Sequence, residues 1–371
     1  MKTKAAIVWE TGQPWSVEEI ELDEPKTGEL LVKMAASGMC HSDEHVVTGD
    51  LPFATPMIGG HEGAGIIEKV GPGVSWLKPG DHVVFGFIAA CGRCHSCATG
   101  HSNLCDMGMH LGGGWQISDQ TYRHHAKGKD LALMCNLGTF AHHTVVNEAN
   151  CIKIDDDMPL DKACLLGCGV VTGWGSSVYS GEVGAGETVV VVGIGGIGAN
   201  AIQGARIAGA KRIIAIDPVE FKRESAMQFG ATHTASSMEE ATEMVRDLTW
   251  GTMADVAVMT MGVGEGDLMG QAMAMVGKRG RVVVTNLHRA AEASASISLL
   301  DMTLYEKQIR GALFGSANPR SDIPKLISLY REGQLKLDEL ITRRYTLDQV
   351  NEGYQDMRDG KNIRGVMVYD D

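Results

Sequence analysis

Residues 187–217 read ETVVVVGIGGIGANAIQGARIAGAKRIIAID, and no other stretch constrains the fold as strongly. The valine-rich run from Thr188 to Val192 is what a parallel strand buried on both faces requires. It runs directly into Gly193-Ile194-Gly195-Gly196-Ile197-Gly198. A helical pattern continues through Ala208, and a second apolar run, from Arg212 to Ile216, ends at Asp217. A glycine-rich turn alone says little. Here a strand precedes it, a helix follows it, and an acid stands 19 residues after Gly198. Together these make up the dinucleotide-binding βαβ unit. Gly193 permits the tight turn, and Gly195 lets the backbone approach a pyrophosphate at the positive helix N-terminus. Gly198 allows close helix–strand packing. Asp217 would hydrogen-bond the adenosine ribose hydroxyls and repel a 2′-phosphate, which favours NAD over NADP.

The strand–helix alternation continues. Residues 255–261 (DVAVMTM) and 281–285 (RVVVT) read as strands, and 239–249 and 266–276 as helices. That pattern predicts a doubly wound parallel α/β sheet. The first ~170 residues differ. Short valine-rich runs such as ELLVKMAAS and GDHVVFGF are broken by Gly and Pro, which predicts a mostly antiparallel β domain. A helix over 324–332 and a strand over 365–369 would complete that first domain. At 371 residues the chain exceeds one typical core, so two domains are expected.

Cys91, Cys94, Cys97 and Cys105 follow the spacing C-x2-C-x2-C-x7-C. Thiolates so spaced can converge on one closed tetrahedral site with zinc as its usual occupant, against a disulfide knot or an Fe–S cluster. Nine cysteines, an odd number, in a chain with no signal-like start point to a reducing cytoplasm. Cys135, Cys151 and Cys164 read as small buried hydrophobes. No run of about 18 apolar residues exists to span a membrane. A net charge of −13 argues against a nucleic-acid partner.

Cys40-His41-Ser42-Asp43-Glu44-His45, Gly60-His61-Glu62 and Gly167-Cys168-Gly169 lie in the β-rich half. Together they offer two thiolates and an imidazole for an open zinc site. At these residues the chain resembles a known family over essentially its whole length. GHEGAGIIEKVGPGV (60–74), CGRCHSCATGHSNLC, LGCGVVTGWG and VVGIGGIG are similar to the signatures of zinc-dependent medium-chain alcohol dehydrogenases. SGMCHSDEHVVTGD, KIDDDMPLDKACLLGCG and IDPVEFKRE carry a further similarity to the actinobacterial NDMA-dependent members.

The resemblance implies a GroES-like catalytic domain over 1–169 with a zinc lobe at 91–105. It also implies a Rossmann domain over 170–312 and a C-terminal segment over 313–371 that returns to the catalytic domain. Two zinc ions per subunit follow: one held by Cys40, His61 and Cys168, the other by Cys91, Cys94, Cys97 and Cys105. Glu62 would sit behind the first, and Asp43 would orient His61. Ser42 would take the alcohol proton and pass it through the cofactor ribose towards His45. His41 and Arg364 would contact the pyrophosphate, and Lys222 would join Asp217 at the ribose. Thr172, Gly196 and Ile197 would complete the cofactor contacts. The pairs His124/His125 and His142/His143 read as non-ligands.

The implied reaction moves hydride from a small-molecule alcohol to NAD in a soluble homo-oligomer, dimer or tetramer. NDMA-dependent members keep NAD(H) bound and pass electrons to another acceptor, of the mycofactocin type. The alternative is an ordinary alcohol or formaldehyde dehydrogenase with freely exchanging NAD. Met109 stands near the position of the arginine that takes the glutathione carboxylate in formaldehyde dehydrogenases, which disfavours that member. Thr285-Asn286-Leu287-His288-Arg289 replaces the Gly-Val-Pro-Pro-like stretch of many relatives.

Overall fold

The computed structural model describes residues 1–264 and 266–369. Its centre is a six-stranded parallel sheet. The order is His233–Ala235, Arg212–Ile216, Thr188–Val192, Ala254–Met259, Val276–Val284, Gln308–Gly311. The chain starts this sheet in the middle, builds to one edge, then returns and builds to the other. The reversal leaves a crevice at the carboxyl ends of Thr188–Val192 and Ala254–Met259, where such sheets bind ligands. All five residues of Thr188–Val192 are buried, as the unbroken valine run requires.

The other half is mostly antiparallel. Glu29–Gly38 is its spine: Glu62–Val70 pairs along one edge, with His143–Asn147 and Arg364–Val368 sharing the other. The C-terminal strand therefore sits in the N-terminal half's sheet, with Ile341–Tyr345 parallel beside it. A second six-stranded sheet, built on Lys2–Val8 and Ser16–Leu22, packs nearby.

The halves meet where the helix Gly169–Gly175 packs on Gly196–Ile207. The contact depends on small residues. A Cβ on Gly173 would overlap the Ile197 carbonyl, and one on Gly204 would lie 2.7 Å from the Trp174 carbonyl. This close approach brings Cys168 beside the glycine turn.

Four elements differ from the expected ones by more than one residue, the first being the strand expected over 281–285, which spans Val276–Val284. The strand expected over 255–261 ends at Met259. There the Thr260 hydroxyl donates to the Val192 and Gly193 carbonyls (3.0 and 2.6 Å) and turns the chain across the glycine loop. The helix expected over 266–276 spans Leu268–Met275. The helix expected over 324–332 spans Pro319–Arg331 and starts a full turn earlier, with Pro319 in its first turn, where no N–H is needed.

Candidate active site

Cys40 caps the helix His41–Thr48, and His61 immediately precedes the strand Glu62–Val70, which Glu62 opens. Cys168 precedes the helix Gly169–Gly175. These three separate segments bring one donor atom each from Cys40, His61, Glu62 and Cys168 within 4.8 Å of one another, all buried. Asp43, fully buried, fixes the imidazole: its Oδ1 lies 3.1 Å from His61 Nδ1 and accepts the Gly60 N–H at 2.9 Å. Nε2 is left for the cysteine side, the outer-shell arrangement typical of metal-bound histidine. Two thiols and an imidazole at this spacing fit a zinc ion with one open position, the Glu62 carboxylate lying behind them.

Glu62 lies one layer behind. Its Oε1 accepts the Gly169 N–H at 3.2 Å, and its Oε2 pairs with the Arg364 guanidinium. Burial pushes the Glu62 carboxyl up to about 7, opposed by Arg364. A Cβ on Gly38 would overlap this carboxylate, so the pair needs glycine there.

The second cluster is the lobe. Sγ atoms of Cys91 and Cys97 lie 4.0 Å apart, and those of Cys94 and Cys105 lie 3.9 Å apart. Zn–S bonds of about 2.3 Å in a tetrahedron put sulfurs about 3.8 Å apart, whereas a disulfide needs about 2.05 Å. Backbone N–H groups point at the sulfurs: Cys94 N to Cys91 Sγ at 3.3 Å and Cys97 N to Cys94 Sγ at 3.4 Å. Burial raises the Cys91 thiol, but the Arg93 and Cys94 N–H groups outweigh it and hold it at about 6. The geometry fits a closed four-thiolate zinc site.

One cleft of about 1060 Å³ joins the first cluster to the glycine turn. Cys40, His41, Ser42, His45, His61 and Cys168 line one end. Thr172, Gly193, Gly195, Gly196, Ile197, Asp217, Lys222 and Arg364 line the other. Asp43, Glu62 and Gly198 lie behind its walls. The turn fits a dinucleotide position by position. Gly193 has φ +91° and its Cβ would lie 2.7 Å from Met261 N. A Cβ on Gly195 would meet nothing within 4 Å, so the backbone there is open to a ligand. A Cβ on Gly198 would overlap the Gly193 carbonyl, which is the close packing expected. Asp217 is held at its strand end by the Ile194 N–H (2.8 Å) and Val219 N–H (2.9 Å).

Arg364 is buried, with its Nη2 on Glu62 and its Nε without a partner among the described residues. His45 is also buried, with Nδ1 3.3 Å from Asp50 Oδ2. Burial lowers His41 below the usual imidazole range. Burial pushes His124 down to about 3, which keeps it neutral, and its Nε2 meets Thr144 Oγ1 at 3.3 Å. Cys151 and Cys164 are buried as expected. Cys135 departs from that reading: it takes a left-handed conformation at φ 52° and lines the cleft. Sequence reasoning also missed Asp50, which joins His45, Thr48 and Arg289 (3.3 Å) across 239 residues. No local signal marks such a residue.

Residues 26–156 match the alcohol dehydrogenase GroES-like domain family, and residues 196–332 match the zinc-binding dehydrogenase family. The NDMA-dependent alcohol dehydrogenase of Amycolatopsis methanolica is 53% identical over 370 residues, covering 100% of this chain and 99% of that protein. Alcohol dehydrogenase B of Mycobacterium tuberculosis is 46% identical over 372 residues, covering 100% and 99%. Among solved structures, the benzyl alcohol dehydrogenase of Acinetobacter calcoaceticus superposes with a TM-score of 0.92 at 29% identity, over 100% of both chains. An alcohol dehydrogenase zinc-binding domain protein from Burkholderia ambifaria reaches 0.93 at 33% identity, again over 100% of both chains. With its donor clusters, glycine turn and full-length relatives in agreement, this chain belongs to the zinc-dependent medium-chain alcohol dehydrogenases.

Proposed function

We propose that the enzyme oxidises an alcohol to an aldehyde or ketone using NAD that stays bound through turnover. An external acceptor reoxidises it: NDMA in the test tube, a mycofactocin-type carrier in the cell. The observation that carries this reading is the single cleft shared by the Cys40/His61/Cys168 group and the glycine turn. When bound, zinc supplies Lewis acidity towards the alcohol oxygen and nicotinamide supplies the hydride acceptor.

The protein's own groups do the rest. Cys40, His61 and Cys168 would hold the catalytic ion, with Glu62 in reserve behind them, and Cys91, Cys94, Cys97 and Cys105 would hold the second. Asp43 keeps His61 in one tautomer. Ser42 Oγ, 3.6 Å from Cys40 Sγ, would take the alcohol proton and pass it through the cofactor ribose towards His45, further along the same helix. Asp217 and Lys222 would take the adenosine ribose, and His41 and Arg364 the pyrophosphate. Phe53, Phe87, Met134 and Phe314 give the cleft apolar walls, which suits an alcohol with an apolar substituent. Met109 is 81% exposed and brings no cation for a glutathione carboxylate.

The helix Leu299–Tyr305 exposes Leu299, Leu300 and Leu304 beside the edge strand Gln308–Gly311, which supports a homo-oligomer formed through that face. Nine cysteines outside any disulfide support a reducing, cytoplasmic setting. Among the described residues no helix is long and apolar enough to cross a membrane.

Retention is tested on dialysed enzyme with an alcohol and each oxidant separately. NDMA should sustain multiple turnovers, whereas NAD alone should release little NADH, and denaturation should free about one NAD(H) per subunit. Rapid NADH release and an empty site after dialysis would return the enzyme to the freely exchanging group. Ser42→Ala should lower hydride transfer by about 10²- to 10⁴-fold, the usual worth of positioned acid–base catalysis, while bound NAD(H) stays constant. Single-turnover absorbance of bound NADH reads the first quantity, and release on denaturation reads the second. An unchanged transfer rate would remove Ser42 from the proton path.

A further inference from the structure

We infer that the Asn286 side-chain amide binds the carboxamide of the nicotinamide and slows its release. This rests on the reading that the cleft holds NAD(H) along the glycine turn. Asn286 lies just past the carboxyl end of Val276–Val284, beside the crevice where the sheet order reverses. Its backbone is fixed, since the Thr285 and Asn286 N–H groups both reach the Met259 carbonyl, at 3.2 and 3.1 Å. The residue is 8% exposed and lines the cleft. Its Oδ1 is buried and has no hydrogen-bond partner among the described residues. The neighbouring Thr285 hydroxyl is already committed, donating to Ser176 Oγ at 2.8 Å. At this strand end the Asn286 amide is thus a polar group left open to a ligand.

A buried amide oxygen without a donor is costly, so its retention at the cleft wall calls for a ligand donor. The adenosine, ribose and pyrophosphate parts of the cofactor have their expected contacts at Asp217, Lys222 and Arg364. The nicotinamide ribose lies on the path from Ser42 to His45, and the carboxamide, the polar group of the nicotinamide ring itself, complements Asn286 fully. Its NH2 donates to an amide oxygen, and its carbonyl accepts from an amide NH2. Local packing holds the side chain there: a Cβ on Gly264 would overlap both Asn286 Nδ2 and the His288 ring. A valine at 286 could fill the space but could make neither hydrogen bond.

The test compares two probes, NAD(H) and ADP-ribose, which lacks the nicotinamide. In Asn286→Val, NADH release, followed by loss of bound-NADH fluorescence, should quicken by about 10- to 100-fold. ADP-ribose affinity should stay within twofold of wild type. The thermal midpoint of cofactor-stripped protein should hold or rise, because an unsatisfied amide has been removed. Asn286→Ala should show the same split and serves if the valine variant folds poorly. Unchanged NADH release would overturn the proposal. Equal losses of NADH and ADP-ribose affinity with a lowered midpoint would also overturn it, since they mark a merely structural role. Wild-type protein that purifies free of NAD(H) would count against retention in general, yet the NADH to ADP-ribose ratio would still decide the role of Asn286.

Discussion

Cys40→Ala should abolish alcohol oxidation almost completely while the protein stays folded. Cys40 is buried, and in the proposed site it would supply one of three ligands. Its side chain makes no capping bond to the helix His41–Thr48, so alanine leaves that helix start intact. What is lost is the ligand. Lewis-acid activation contributes several kcal/mol to the transition state, so turnover should fall by about 10³-fold or more. Zinc content should drop from two to one per subunit, with the midpoint of thermal unfolding shifted by only a few degrees. ADP-ribose should still bind, since the glycine turn and Asp217 are untouched. A Cys40→Ala protein that keeps two zinc ions, or a tenth of its turnover, would refute the ligand assignment.

The cofactor half was legible because its signals are local. Strand, glycine turn, helix, second strand and acid occupy 31 consecutive residues, and each imposes a steric or electrostatic demand that can be read without knowing the rest of the chain. The lobe was legible for the same reason, with four cysteines inside fifteen residues. Element ends were less so. The residues of 260–261 are as strand-like as those before them, yet the strand ends where the Thr260 hydroxyl bonds the Val192 and Gly193 carbonyls. The group of Cys40, His61 and Cys168 was not legible from spacing at all, since the three arrive from three segments. Resemblance grouped them, and the packing of Gly167, just before Cys168, against the Phe85 carbonyl and Glu62 is the physical reason they meet. The pairing of Glu62 with Arg364 spans 302 residues and lay beyond any local pattern. Arg364 was expected only at the pyrophosphate. In the structure its guanidinium also pairs with the buried Glu62 carboxylate.

Cys97→Ala should do the reverse of Cys40→Ala, with damage to the fold preceding damage to the chemistry. The lobe has almost no core of its own: its helices are His95–Ala98, Ser102–Leu104 and Asp106–His110, none longer than five residues. Cys91, Cys94 and Cys97 are only partly buried, so apolar burial cannot replace the metal. Structural zinc contributes its binding energy to folding, and opening the site to three thiolates forfeits most of it. A net loss of several kcal/mol is expected, since the lobe is tied down elsewhere. Ser102 Oγ donates to Asn318 Oδ1 at 2.8 Å, and Asn103 Nδ2 donates to the Leu313 carbonyl at 3.0 Å. At about 2–4 °C per kcal/mol for a domain of 150–250 residues, the midpoint should fall by about 10 °C. Those same two bonds carry the disturbance inward, because Leu313 and Phe314 line the cleft. Substrate affinity should therefore weaken before turnover does, as the apolar wall loosens while the catalytic ligands stay in place. Limited proteolysis should cut first within 91–110, and metal analysis should again find one zinc per subunit. A variant that loses one zinc yet keeps the wild-type midpoint and protease resistance would show that the lobe's metal is not structural.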